Sequence, residues 1–114
     1  MRTARALRIL PVCLALVAWG CGGAGGGGRE RRLRAEGLAL FTSAGCASCH
    51  SLAAARAHGR IGPDFDTSER LDRAQIRDQL DYGGGGMPSY RRRLTAAQKD
   101  AVTEFLYVAT HLRR

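Results

Sequence analysis

The sequence Cys46-Ala47-Ser48-Cys49-His50 places two thiols three positions apart, with an imidazole directly after the second thiol. Two thiols at this spacing at a helix end can each form a thioether with one vinyl group of a haem, and the adjacent His50 is then directed at the iron. The C-x-x-C-H pattern is typical of a c-type haem attachment site. We therefore expect one covalent haem c, attached through Cys46 and Cys49 and ligated by His50.

Three other kinds of site can use a C-x-x-C pair. A thioredoxin-type redox centre requires a strand–helix–strand context, which does not surround this motif. A zinc site would need further ligands at the usual spacing, and His50 lies too close to Cys49 to supply it. A structural disulfide between Cys46 and Cys49 is a third alternative, since short motifs recur by chance. Residues in the second half of the chain are needed to choose between a haem attachment site and these three alternatives.

Met87 is the candidate for the second axial ligand. It is the only methionine besides Met1, and it lies between Gly83–Gly86 and Pro88. The glycines allow the backbone to approach the ring, and the proline restricts Met87 to extended geometry, so the loop can hold a sulfur that points inward. A lone methionine is otherwise a core residue. The rival sixth ligands are His58 and His111.

Apolar residues recur with helical periodicity in three stretches, and no stretch alternates convincingly with the period of a strand. We therefore predict an all-α domain. The helices extend from about Leu33 to Ala44, from about Asp72 to Tyr82, and from Thr95 past Ala109.

Three details refine these helices. Gly37 lies within the apolar face of the first helix, where glycine costs about 1 kcal/mol relative to alanine, so we expect it to admit a second helix at close range. Thr95 and Gln98 have capping-box spacing. Arg77 is placed to meet Asp81 one turn further along its helix.

The start of the chain has the order of a secretory signal peptide over residues 1–20: arginines, an apolar run and small residues. Cleavage can follow Ala18-Trp19-Gly20, or Gly20-Cys21 can form a lipobox in which Cys21 becomes lipidated. We expect a glycine-rich linker over 21–29 and the folded domain over 30–114. Lipidation would tether an exported, periplasmic or extracytoplasmic domain to a membrane as a lipoprotein.

Composition limits the remaining possibilities. The 114 residues carry a formal net charge of +8, and without the three arginines of the leader the charge is +5. One small domain fits this length, and a two-domain enzyme does not. The arginines are scattered among acidic residues, which argues against nucleic-acid binding. No apolar run reaches the roughly 20 residues of a transmembrane helix.

Six motifs, in this order, resemble those of the class I monohaem c-type cytochromes, especially the small bacterial and photosynthetic soluble type. The resemblance covers about residues 34–112. The motifs are Gly37-x-x-Leu40-Phe41, Gly45-Cys46-x-x-Cys49-His50, Ile61-Gly62-Pro63-Asp64-Phe65, Met87-Pro88-x-Tyr90, Leu94-Thr95 and Val102-x-x-Phe105-Leu106.

The resemblance implies the small cytochrome c fold, in which the N- and C-terminal helices cross and the covalent haem forms the core. Gly37 and Phe41 are then expected to cross the last helix near Val102 and Phe105. Lys99 departs from the family, which commonly has a branched apolar residue at this position.

The resemblance also implies how the haem is held. Gly62 and Pro63 belong to the haem-binding residues, and the Pro63 carbonyl is expected to accept the Nδ1–H of His50, as is usual behind a metal-bound imidazole. His50 and Met87 are the expected iron ligands. The candidate partners for the haem propionates are Arg60, Arg70 and Arg91.

The implied function is electron transfer by a monomer that cycles between Fe(III) and Fe(II) and exchanges electrons with redox protein partners, without catalytic residues. Arg91–Arg93 is a candidate for steering an acidic partner or a negatively charged membrane surface. One alternative is a haem enzyme or gas sensor in which Met87 is displaceable. Another is a cytochrome subunit of a larger oxidase or dehydrogenase.

Overall fold

The computed structural model describes residues 25–68 and 70–112, which form three helices joined by a short hairpin and loops. The predicted leader (1–20) and Cys21 lie outside the described residues. The predicted all-α domain is confirmed. In chain order the elements are α1 (Gly25–Ser43), a 3-10 turn (Cys46–Ser48), β1 (Ser51–Leu52), a second 3-10 turn (Ala53–Ala55), β2 (Ala57–His58), α2 (Arg73–Tyr82) and α3 (Ala96–His111).

Helices α1 and α3 cross at Gly37, as predicted. Gly37 is buried, and a Cβ at this position would overlap the Ala101 carbonyl and lie 2.5 Å from the Cβ of Phe105. Four residues later, Phe41 is fully buried and packs edge-to-face on Phe105, with 5.9 Å between ring centroids. The missing side chain at position 37 therefore lets the two backbones approach and brings both aromatic rings into the core.

Both shorter helices begin at reciprocal capping boxes. The predicted box at α3 is confirmed: Gln98 N–H donates to Thr95 Oγ1 over 3.2 Å, and Thr95 N–H donates to Gln98 Oε1 over 2.9 Å. Asp72 and Gln75 form the same pair of bonds at α2. Gly83, with a φ of 68°, ends α2. These caps satisfy backbone groups that the helix ends would otherwise leave without partners.

A two-stranded hairpin, which was not predicted from the sequence, follows the thiol motif (Cys46–His50). Ser51 pairs with His58 and Leu52 with Ala57, with Arg56 in the left-handed region at a φ of 50°. Strands of two residues are too short for alternation to be visible in the sequence. The hairpin buries Leu52 and leads the chain back past the thiol motif.

Helix α1 begins at Gly25, within the segment predicted to be a linker. The four glycines at 25–28 are exposed, and a Cβ on any of them would meet nothing within 4 Å. Arg31 Nε donates to the Gly27 carbonyl over 3.2 Å. Glycine opposes helix formation, and because these four residues are exposed, the first turn of α1 adds nothing to the core.

Ion pairs spaced one turn apart on α2 join this helix to α3. Arg77 forms its ion pair with Asp100 rather than with the predicted Asp81, because the groups across the helix interface are closer than the next turn of the same helix; its charge nevertheless contributes to lowering the pKa of Asp81. Lys99 is buried, and its hydrogen bond to Asp81 lowers the pKa of that carboxyl. The three pairs are Arg73–Glu104, Arg77–Asp100 and Lys99–Asp81.

We expect Gly37→Ala to destabilise the domain, although alanine is the better helix former. The new methyl group would collide with α3, and overpacking of this kind costs about 1–3 kcal/mol. Gly28→Ala is the matched control in the same helix, because its methyl group would meet nothing. Thermal unfolding of both variants checks the prediction. Equal transition temperatures for the two variants would contradict a close helix crossing at Gly37.

We expect Asp81→Asn to destabilise the protein more than Lys99→Met at pH 7. The first change leaves a buried ammonium without its carboxylate, whereas the second leaves a partly exposed carboxylate that water can solvate. Because folding lowers the pKa of Asp81, the stabilisation by the pair is complete above the ordinary value of 3.8 and is lost as the pH falls through the lowered value.

Urea unfolding between pH 3 and pH 7 measures both effects, with Asp78→Asn as the control for loss of an exposed carboxylate on α2. A stability difference between wild type and Asp81→Asn that stays constant to the lowest pH would contradict the assignment.

Candidate functional site

The thiol motif occupies the turn that follows α1. Gly45 has a φ of 88°, and a 3-10 turn from Cys46 to Ser48 follows it. The His50 and Cys49 amides both donate to the Cys46 carbonyl, over 3.0 and 3.1 Å. Both thiols are free; Cys46 is buried and Cys49 is partly buried. Burial raises the pKa of the Cys46 thiol, and both cysteines border a cavity.

The imidazole of His50 is held on several sides. Its Nδ1 lies 3.0 Å from the Pro63 carbonyl oxygen. A carbonyl only accepts, so Nδ1 carries the proton and Nε2 keeps a lone pair for a metal. Phe65 stacks on the ring, with 4.5 Å between centroids and 17° between planes. A Cβ on Gly62 would lie 2.5 Å from Cε1 of the ring, so this position accepts only glycine without a shift of the imidazole.

Met87 lies in a tight turn after α2. Gly83–Gly86 all have positive φ, between 61° and 112°. Gly84 and Met87 exchange two backbone hydrogen bonds of 3.0 Å, and Tyr90 N–H donates to the Leu80 carbonyl over 2.7 Å. Four successive residues with positive φ are accessible to glycine and strained for other residue types. The glycine run therefore permits a turn that fixes Met87 against the end of α2.

One cavity of about 930 Å³ collects the predicted site residues. Cys46, Cys49, His50, Gly62, Pro63 and Met87 all line it. The rest of the lining is largely apolar and comes from α1, α2, α3 and the connecting loops. The volume is in the range of cavities that hold cofactors.

The rival histidines lie elsewhere. His58 is exposed on β2, and His111 stacks on Tyr107 at the end of α3, with 4.0 Å between ring centroids. Neither borders the cavity. Among the histidines of the described residues, His50 alone lines it.

The arginine that lines the cavity is not one of the predicted propionate partners. Arg60, Arg70 and Arg91 are absent from the lining, whereas Arg93 is part of it. The Arg93 guanidinium lies 5.0 Å from the centroid of the Tyr90 ring. From the sequence, Arg93 was recognisable only as part of a run of three basic residues. Its position two residues before the N-cap of α3 was the available signal, but the direction of its side chain depends on packing against Tyr90.

The donor set fits a covalent haem better than the other centres that were considered. Two free thiols, an imidazole with Nε2 available and a thioether share one largely apolar cavity. Within residues 25–68 and 70–112, no group of three or more His, Cys, Asp or Glu side chains could hold a metal ion, so a zinc centre is not supported. The motif follows a helix and precedes a two-residue strand, unlike the surroundings of a thioredoxin-type pair.

Comparisons with known proteins agree with this chemistry. Residues 32–106 match the family model described as cytochrome c oxidase, cbb3-type, subunit III. No curated protein matches the chain. The solved structure of the c-type cytochrome SorU from Sinorhizobium meliloti is similar, with a TM-score of 0.65 and 29% identity over 70% of this chain and 93% of SorU.

These matches agree with the resemblance predicted from the motifs, including covalent haem c bound through Cys46 and Cys49. Because the family model spans more than half of the chain, the protein belongs to this cytochrome c family and is a monohaem c-type cytochrome, a haem electron-transfer protein.

Proposed function

We propose that the protein is an exported one-electron carrier in which His50 and Met87 bind the haem iron. The observation that carries the proposal is that an imidazole with an available Nε2 and a thioether border the same cavity as the two thiols. A histidine–methionine pair raises the reduction potential relative to two histidines, and it fills the position that oxygen or peroxide would otherwise take. Electron transfer is favoured over ligand chemistry for that reason.

The chain's own residues keep both ligands in place. The Pro63 carbonyl fixes the tautomer and orientation of His50, and the glycine turn fixes the backbone of Met87. Bound haem c supplies one-electron chemistry at its iron. Residues that hold the same positions in both oxidation states keep the reorganisation on electron transfer small.

The free carrier and the subunit of a larger complex use the same residues. Because the matching family model is named for an oxidase subunit, the role of a subunit in a larger complex is a second candidate. Purification from the native membrane separates the two: a stable complex with an oxidase or dehydrogenase supports the subunit, and isolation as a free monomer supports the carrier.

Export rests on the leader-like residues 1–20, and the tether rests on Cys21, both outside the described residues. Within the part of the chain that the structure describes, no helix combines the length and apolar character needed to cross a bilayer. Mass spectrometry of the mature N-terminus distinguishes a diacylated Cys21 from an unmodified terminus.

We propose that the surface around Arg91 and Arg92 attracts an acidic redox partner. Both side chains are exposed, directly after the Met87 turn, and Arg93 beside them borders the cavity. None of the three ion pairs found in the described residues uses these arginines. Exposed like charges near the cofactor steer an oppositely charged partner and accelerate its association.

We expect the oxidised and reduced spectra of the exported, haem-loaded protein to be those of low-spin haem with a ferric sulfur-to-iron charge-transfer band. The haem should remain on the chain after denaturation, because it is held by thioethers. Met87→Ala should abolish the charge-transfer band and open the site to small ligands.

His58→Ala and His111→Ala are the matched controls and should retain the band. A high-spin spectrum of the wild type would contradict Met87 as the ligand and favour ligand chemistry, whereas a bis-histidine spectrum would contradict Met87 and indicate a histidine as the sixth ligand. A colourless protein in cells with working haem-attachment machinery would contradict the whole assignment.

We expect the rate of electron transfer from ferrocyanide, a multivalent anion, to fall as ionic strength rises, because salt screens attraction over about 8–10 Å. The double variant Arg91→Gln/Arg92→Gln should react more slowly and depend less on salt. Arg31→Gln/Arg32→Gln is the control, since it removes the same charge from exposed positions on α1. Equal salt dependence in the two double variants would mean that net charge alone, and not this surface, attracts the anion.

A further inference from the structure

The side chain of Gln79 reaches from α2 to the turn that carries Met87. Its Nε2 lies 3.6 Å from the Met87 sulfur and 3.4 Å from the Gly84 carbonyl oxygen. The Gly84 carbonyl and the thioether sulfur are both acceptors, so the NH₂ group of the amide, with its two protons, must face them. Two independent partners therefore fix the same orientation of the Gln79 amide.

The main chain of Gln79 holds the same turn. Its carbonyl accepts the Gly83 N–H over 2.8 Å at the end of α2. A Cβ on Gly83 would lie 2.5 Å from the Met87 carbonyl oxygen, so the turn is folded tightly back on the helix end. Gln79 thus contacts the beginning of the turn through its backbone and the sulfur at its other end through its side chain.

Gln75, the other glutamine of α2, makes a different hydrogen bond. Gln75 lies one turn earlier on α2 and also borders the cavity, but its Oε1 accepts the Asp72 N–H of the capping box. The side chain of Gln79 takes no part in a capping box. Its amide faces Met87 and the turn.

We propose that Gln79 is a positioning residue for the Met87 thioether: its N–H donates to one sulfur lone pair and leaves the other lone pair for the haem iron. The proposal rests on the proposed function, in which Met87 is an iron ligand. A hydrogen bond to the sulfur restrains rotation of the side chain and opposes its departure from the iron. It also withdraws electron density from the ligand, which favours the ferrous over the ferric state.

Imidazole competition in the ferric haem-loaded protein tests the first effect. Imidazole can bind only when Met87 has left, so its apparent affinity reports how often the sulfur is displaced. Gln79→Leu and Gln79→Glu both remove the donor, the second with nearly unchanged shape. We expect both to bind imidazole about two- to ten-fold more tightly than wild type, the ratio that corresponds to the net value of one hydrogen bond. Their reduction potentials should also be lower.

Two controls separate positioning from a general effect on α2. Ala74→Gln changes an exposed residue of the same helix away from the cavity and should leave the imidazole affinity and the potential unchanged. In a Met87→Ala background, Gln79→Leu should no longer alter imidazole affinity, because the sulfur on which it acts is gone.

Wild-type affinity and potential in both Gln79 variants, with the charge-transfer band present in wild type, would overturn this proposal and leave Met87 ligation intact. An equal effect of Gln79→Leu with and without Met87 would also overturn it. Absence of the band in the wild type would overturn the proposed ligation itself, and this proposal with it.

Discussion

The rest of the structure depends on a largely apolar cavity that all three helices line. Apolar surface is unfavourable in contact with water, so a cavity of this kind favours an apolar occupant. A covalent haem c therefore acts as the missing part of the core, in a chain whose described helices number only three.

The helix crossing at Gly37 sets where that cofactor is attached. The close approach of α1 and α3 buries Phe41 against Phe105, and α1 then ends just before Gly45 and the thiol motif. The buried Tyr90 donates its hydroxyl proton to the Ala44 carbonyl over 3.1 Å. This bond joins the segment after the Met87 turn to Ala44, two residues before the motif. The hydrogen bond thereby links the thiol motif and the Met87 turn to the same pair of packed helices.

The two proposed iron ligands are held by different means that suit their side chains. An imidazole has a second nitrogen, so a single carbonyl behind His50 can set both its tautomer and its direction. A thioether has no N–H that could donate to a backbone carbonyl, and its side chain rotates about several bonds. Met87 therefore depends on a rigid backbone turn and on the Gln79 amide at its sulfur. In the proposed function, neither ligand has to move when the charge on the iron changes, which favours electron transfer.

The sequence by itself determined the features that adjacent residues encode: the attachment motif, the three helices, the Thr95 capping box and the glycine needed at the helix crossing. Each depends on spacing within one turn or one element, where covalent geometry fixes the distance. Tertiary structure decided the features that join distant segments. Packing of α2 on α3 redirected Arg77 to Asp100 and paired the buried Lys99 with Asp81.

The same distinction between local and tertiary determinants applies to the residues that line the cavity. The Met87 turn could be predicted from Gly83–Gly86, but Arg93 and Gln79 could not be assigned to the lining from sequence. Long side chains have several rotamers, and only the surrounding surfaces select one. Local sequence therefore specified which chemical groups the protein carries, whereas packing decided which of the long side chains reach them.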